Sequence, residues 1–148
     1  MTVYKIIIFL HILFASVWCG GYIIFSTVYL PRALKSKNAG IIKSFEESFG
    51  RIGITALTLQ LITGIYLSFR YIPNFFDWFS FSYYVPVNIF LKLVLILITL
   101  FLVHYLKLVI IPKTTNENMG TASFYVYLIT VIAIVLVLIG TSFRFGGF

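Results

Sequence analysis

The chain has 148 residues, of which 61% are hydrophobic and 10% charged, and its mean hydropathy is +1.05. A soluble domain of this size has too little interior to hide so much apolar surface, so the composition excludes a water-soluble fold and predicts an integral membrane protein. The net charge of +7 does not indicate nucleic-acid binding, because the basic residues cluster in particular connections. The single cysteine, Cys19, excludes an intrachain disulfide and a cysteine-cluster metal site.

Four apolar stretches approach the ~20 residues that a helix needs to cross the hydrocarbon core of a bilayer. They are residues 6–30, 52–69, 88–111 and 123–143. The sequence therefore predicts an all-α, integral membrane four-helix bundle, with residues 1–148 forming a single transmembrane domain. The first stretch is too long for the apolar part of a signal peptide and has no small-residue cleavage site, so we expect it to be a span.

The connection after the first span contains two helix-breaking signals. Pro31 predicts that the helix stops or bends there, and the Asn-Ala-Gly sequence at residues 38–40 predicts a break. Residues 41–49 then read as a short amphipathic approach to the second span, with Glu46 and Glu47 facing water. Every acidic residue is thus predicted to lie outside the spans, which argues against an ion-coupled carrier.

The second connection, residues 70–87, is rich in aromatic side chains. Amphipathic rings prefer the headgroup layer of a membrane, so this segment is expected to lie on the outer surface. The third connection, residues 112–122, is polar and short and predicts only a turn.

Basic residues are unevenly divided between the two sides of the predicted bundle. Since lysine and arginine concentrate on the cytoplasmic side, this asymmetry predicts that the first and third connections are cytoplasmic and that both termini are outside. We therefore expect a multi-pass protein of the cell (cytoplasmic) membrane, whose charge orients it and attracts anionic lipid. The cytoplasmic set is Arg32, Lys35, Lys37, Lys43, Arg51, Lys107 and Lys113, and the outer set is Lys5, Arg70 and Arg144.

Three ionisable residues, His11, Lys92 and His104, lie inside the predicted spans. Such groups are costly in hydrocarbon and are therefore candidates for a functional site. Counted from the span midpoints, His11 and Lys92 both lie about 10 Å toward the outside, whereas His104 lies about 7 Å toward the cytoplasm. Two imidazoles on one iron would lie within about 4 Å of each other. Because roughly 17 Å separates the two histidines along the membrane normal, we do not expect them to share one haem. Two arrangements stay open: one haem on one histidine, or two sites at different depths.

The outer level collects further polar and aromatic residues. On the first span, Trp18 shares a helix face with His11. On the second span, Tyr66 and Arg70 share a face, and Arg144 lies close to one face of the fourth. A basic site of this kind suits haem, whose iron takes an imidazole and whose propionates pair with basic side chains. A quinone carbonyl is the alternative ligand. Copper fits less well, because Cu(I) prefers sulfur ligands and the chain offers few.

Structural roles are alternatives for the same residues. A histidine in a membrane helix can simply hydrogen-bond a neighbouring helix, and Lys92 can snorkel to the outer surface. Gln60 is expected to form an interhelical hydrogen bond, and the glycines at 20, 21 and 64 are expected to be close-packing points.

Three short motifs in the predicted spans indicate a family. They are His11…Trp18-Cys19-Gly20-Gly21…Leu30-Pro31-Arg32, Phe49-Gly50-Arg51…Thr63-Gly64 and Leu91-Lys92-Leu93. Together they resemble the CopD-like group of small membrane proteins and the related HemJ-type protoporphyrinogen oxidases. The resemblance implies a four-to-five-helix bundle, with haem b binding in the HemJ branch and copper handling in the CopD branch. By position it implies that His11 and Lys92 are the functional pair and that His104 is the later third-span histidine.

The leading hypothesis is a haem b-binding membrane protein that transfers electrons, as a membrane haem oxidoreductase would, with quinone as a partner in the bilayer. His11 is the expected axial ligand, Lys92 with Arg70 and Arg144 would hold propionates, and His104 would ligate a second haem. The alternatives are copper or other small-solute transport, HemJ-like protoporphyrinogen oxidation, and a structural subunit. Four short helices leave little room for a porphyrin, which suggests a homo-oligomer with the cofactor at its interface.

Overall fold

A computed structural model describes residues 2–81 and 83–142, and every regular element among them is helical. Among these residues, four helices are long and apolar enough to cross a membrane, and each is longer than its predicted span. The last residue of the predicted fourth span, at position 143, lies outside the described residues. The first helix comprises Thr2–Ile24, a π-helical turn at Phe25–Tyr29 and Leu30–Ser36, and the second is Gly40–Tyr71. After a 3₁₀ helix at Phe75–Phe79, the third comprises Tyr84–Tyr105, a π-helical turn at Leu106–Ile110 and Ile111–Lys113, and the fourth is Met119–Ser142.

The first and third connections lie side by side at one end of the bundle. The backbone N–H of Ala39, in the first connection, donates to Oδ1 of Asn116, in the third, at 2.8 Å. We call this the basic end, because Lys37 and Lys113 lie there, and the opposite end, with Phe75–Phe79, the aromatic end. The helices therefore alternate in direction.

Pro31 does not stop the first helix, so the predicted stop is wrong, while the alternative of a bend stays a prediction. Proline has no N–H and its ring clashes with the preceding turn of an α-helix. The π-helical turn widens the backbone just before it, and the N–H of Leu30 bonds to the oxygen of Phe25, five residues back. The same arrangement precedes Pro112, where Ile111 bonds to Leu106.

The first helix ends five residues beyond Pro31 instead, at Ser36. Lys37 follows in the left-handed conformation, with φ of 49°. Its N–H bonds to the oxygen of Leu34, and the next N–H, of Asn38, bonds to the oxygen of Ala33. These bonds satisfy carbonyl groups that the end of a helix otherwise leaves without partners.

The segment predicted as a separate approach, residues 41–49, is the first part of the second helix. The prediction that both of its acids face water is wrong for Glu46, whose side chain is only 14% exposed and whose carboxylate lies 3.4 Å from Nζ of Lys107. Glu47 is exposed. The helix turns Glu46 toward the third helix, and Gly50, one turn later, provides the space, since a Cβ there would overlap the carboxylate. A carboxylate that the protein buries needs such a counter-charge.

Aromatic packing joins the first two helices. Phe25 stacks on Phe45 with ring centroids 4.2 Å apart, and the ring of Phe49 fills the space left by Gly21 and Gly53. Small residues let helix backbones approach closely in a bilayer, where apolar burial provides little drive for association. This contact fixes the register of the two helices.

At the aromatic end, Trp78 is buried and its Nε1–H donates to the oxygen of Ile72 at 2.8 Å. Phe69 of the second helix packs against its ring. Other rings of the connection are turned outward, and Phe76 is 80% exposed. Trp78 thus anchors the segment to the bundle, while its neighbours suit the interfacial position predicted for them.

Gly21→Ala should destabilise the protein. The new methyl group would displace the Phe49 ring, and such overpacking typically costs ~1–3 kcal/mol. The matched control is Gly20→Ala, because a Cβ at Gly20 would have no atom within 4 Å apart from its own stretch of the helix; it gains the same helix propensity without the clash. Unfolding in detergent should therefore occur at lower denaturant for Gly21→Ala only. Equal stability of the two variants would contradict the described packing.

Candidate functional site

His11 lies between the first and second helices and uses both ring nitrogens. Nδ1 is 2.9 Å from Oγ1 of Thr63, and Nε2 is 3.1 Å from Nε2 of Gln60. Gly64 makes room for the ring, because a Cβ there would lie 3.2 Å from Cε1 of the imidazole. The three partners share a face of the second helix through their i, i+3 and i+4 spacing.

The Thr63 hydroxyl determines where the proton on the imidazole lies. Its oxygen is 2.8 Å from the oxygen of Leu59, so its single proton is donated to the helix backbone. Oγ1 therefore accepts from Nδ1–H of His11, and Nε2 carries the lone pair that accepts from the Gln60 amide. This arrangement leaves the imidazole neutral, which suits a group inside a membrane.

Two polar atoms in this part of the bundle are buried without a hydrogen-bond partner among the described residues. They are Oε1 of Gln60 and Nε1 of Trp18. Trp18 is only 3% exposed and lies two turns from His11 on the same helix face. A buried unsatisfied group costs ~1–3 kcal/mol, so such atoms commonly indicate a missing ligand or water.

Lys92 reaches the same level from the third helix. Its Nζ would lie 3.7 Å from a Cβ at Gly140 of the fourth helix, and its charge is close enough to interact with His11. A second contact fixes this level, since Oγ1 of Thr130 lies 3.2 Å from the backbone oxygen of Tyr22. His11 precedes Tyr22 by eleven residues. The fourth helix runs in the opposite direction, and position 141, next to Gly140, follows Thr130 by eleven residues. His11 and Gly140 therefore lie at about the same level of the bundle.

The remaining candidate residues are placed differently. His104 is exposed, and its Nδ1–H donates to the oxygen of Leu100 at 2.8 Å. Arg70 is exposed at the aromatic end, with its guanidinium 5.9 Å from the ring centroid of Tyr4. Tyr66 is 40% exposed, and Arg144 lies outside the described residues. The structure thus brings His11, Lys92 and Trp18 to the bundle interior and turns His104 away from them.

The described residues offer single ligands rather than a metal cluster. Among them, no group of three or more histidine, cysteine, aspartate or glutamate side chains is arranged to hold a metal ion. A narrow cleft lies beside Tyr22 and Glu46, and an open groove lies beside Arg51. Neither is lined by His11.

The sequence indicated Gln60 as an interhelical hydrogen bonder, but it did not identify its partner as Nε2 of His11. The spacing of Gln60, Thr63 and Gly64 was the available signal, since it describes one helix face that could receive a side chain. The burial of Glu46 had no such signal.

No protein-family model, curated protein or solved structure matches the chain.

Gln60→Leu should make His11 more reactive. Removing the amide leaves Nε2 without its donor, so its lone pair is free to attack diethyl pyrocarbonate. Because the lost hydrogen bond is worth about 1 kcal/mol, we expect His11 to be modified about fivefold faster. Mass spectrometry would follow His11 against His104, which is exposed in the same molecule. Thr58→Val, an exposed position of the second helix, is the control. An unchanged rate in Gln60→Leu would contradict the described contact.

Proposed function

We propose that the protein is a haem b-binding integral membrane protein that transfers electrons, with quinone in the bilayer as its redox partner. The observation that carries the proposal is the His11 imidazole, held between two helices with Nδ1–H on Thr63. Histidine ligands of metals usually donate the second ring N–H to such an acceptor, which fixes the ring and leaves Nε2 to bind the metal. The resemblance to HemJ-type proteins, the branch for which it implies haem b binding, supports the same assignment.

Binding at Nε2 requires that Gln60 turn away. Its amide donates to that nitrogen at 3.1 Å, while its own oxygen is buried without a partner among the described residues. The contact is therefore a weak competitor, because forming it leaves a buried acceptor unsatisfied. The donor set fits a haem held by one imidazole, and the Lys92 amine at the same level would pair with a propionate.

The bound haem would supply one-electron chemistry, with its potential set by its axial ligand and surroundings. Within the chain, Thr63 orients the imidazole and Lys92 places positive charge beside it. His104 has no part in this proposed site, because it faces away from the bundle. Neither the cleft beside Tyr22 nor the groove beside Arg51 is lined by His11, so the haem would lie at a face of the bundle or between two copies of the chain.

We further propose that the basic end is cytoplasmic and that both termini face outside, in the cell membrane. The support is the concentration of lysine and arginine in the two connections joined through Ala39 and Asn116.

Protein purified in detergent after expression with ample haem should show a Soret band and reducible α and β bands. His11→Ala should lose most of the bound haem, because the axial ligand is gone, whereas His104→Ala should retain it. Lys92→Gln should retain the ligand and bind more weakly. Circular dichroism would check that each variant is folded. A colourless wild-type preparation, or full retention of haem by His11→Ala, would contradict the proposal.

A further inference from the structure

An open groove runs between the first and second helices on the exposed side of the bundle. Its walls are mostly apolar and include Leu13 and Val17 from the first helix and Ile52 and Leu59 from the second. Its volume is about 410 Å³, within the range of pockets that hold small ligands. Arg51 lies at one end, eight residues or about 12 Å before Leu59.

Arg51 lies at the depth where a headgroup would be. Twenty residues separate it from Tyr71, the last residue of the second helix, which corresponds to about 30 Å. That distance is the thickness of the hydrocarbon core. With Tyr71 at the aromatic interface, the guanidinium therefore reaches the opposite interface, and the rest of the groove extends from there into the acyl region.

Arg51 is the charged residue of the groove's described lining. It is exposed, and no described carboxylate lies within ion-pair distance of it. Glu47, one turn earlier, is also exposed and partly offsets its charge. Arginine binds phosphate through two parallel hydrogen bonds, which a lysine cannot reproduce.

We propose that this groove binds an anionic phospholipid, with its phosphate on Arg51 and one acyl chain between Val17 and Leu59. The order of chemistry along the groove matches the order in the lipid, because the charged end lies at the interface and the apolar end lies deeper. Basic sites between membrane helices on the cytoplasmic side bind anionic headgroups in this way. The site is separate from His11 and does not depend on the proposed haem.

Native mass spectrometry with phosphatidylglycerol and phosphatidylcholine of identical acyl chains tests the proposal. Wild-type protein should retain phosphatidylglycerol in preference, and Arg51→Gln should reduce that retention about fivefold, the loss expected for one basic residue near a membrane surface. Arg32→Gln is the matched control, because Arg32 is exposed near the same end but outside the groove. Glu47→Gln should strengthen the binding of phosphatidylglycerol.

Two further measurements make the outcome decisive. Val17→Trp should fill the groove and reduce retention of the lipid without changing charge, and size-exclusion chromatography would check that every variant is folded. Equal losses in Arg51→Gln and Arg32→Gln would overturn the proposal in favour of general surface charge. Equal retention of the two lipids would overturn it, because the site would then not recognise the net negative charge of the headgroup. Dissociation of a dimer in Arg51→Gln would show that a second copy occupies the groove.

Discussion

The contact of the His11 imidazole with the second helix is the constraint on which the account depends. One ring, 2.9 Å from Thr63 and 3.1 Å from Gln60, joins two helices at a depth where water is scarce and each unsatisfied polar group is costly. The contact needs a hydroxyl whose proton is already committed, an amide donor and a glycine at the right spacing. It fixes the orientation of the ring and brings the Lys92 charge into range.

The opposite half of the bundle balances charge in a different way. There the Glu46 carboxylate is paired with Lys107, close to the π-helical turns that precede Pro31 and Pro112. Those turns let the first and third helices continue through proline, so that basic residues gather at one end of the bundle and a lysine lies beside the carboxylate. The bundle thus has a neutral hydrogen-bonded site toward the aromatic end and an ion pair toward the basic end, and each satisfies a polar group that the protein buries.

Much of the fold could be predicted from composition and hydropathy, because a chain crossing a bilayer must satisfy its backbone within helices. The four helices and the break at residues 38–40 follow from that rule. The stop predicted at Pro31 does not occur because a π-helical turn accommodates the proline. The exposure predicted for Glu46 is wrong because its ion-pair partner, Lys107, is distant in sequence. At the site, depth counting placed His11 and Lys92 at one level, but rotation about the helix axis decides whether a side chain faces inward. The outward orientation of His104 therefore could not be predicted from the sequence.

The most direct test of the His11 contact is solid-state ¹⁵N NMR of histidine-labelled protein in bilayers. The His104→Ala variant would be used, so that a single imidazole gives the signal. The account predicts a proton on Nδ1, an unprotonated Nε2, and through-space correlations from the ring to the Thr63 and Gln60 side chains. A proton on Nε2 together with no correlation to the second helix would contradict it, because His11 would then not be the residue that joins the two helices.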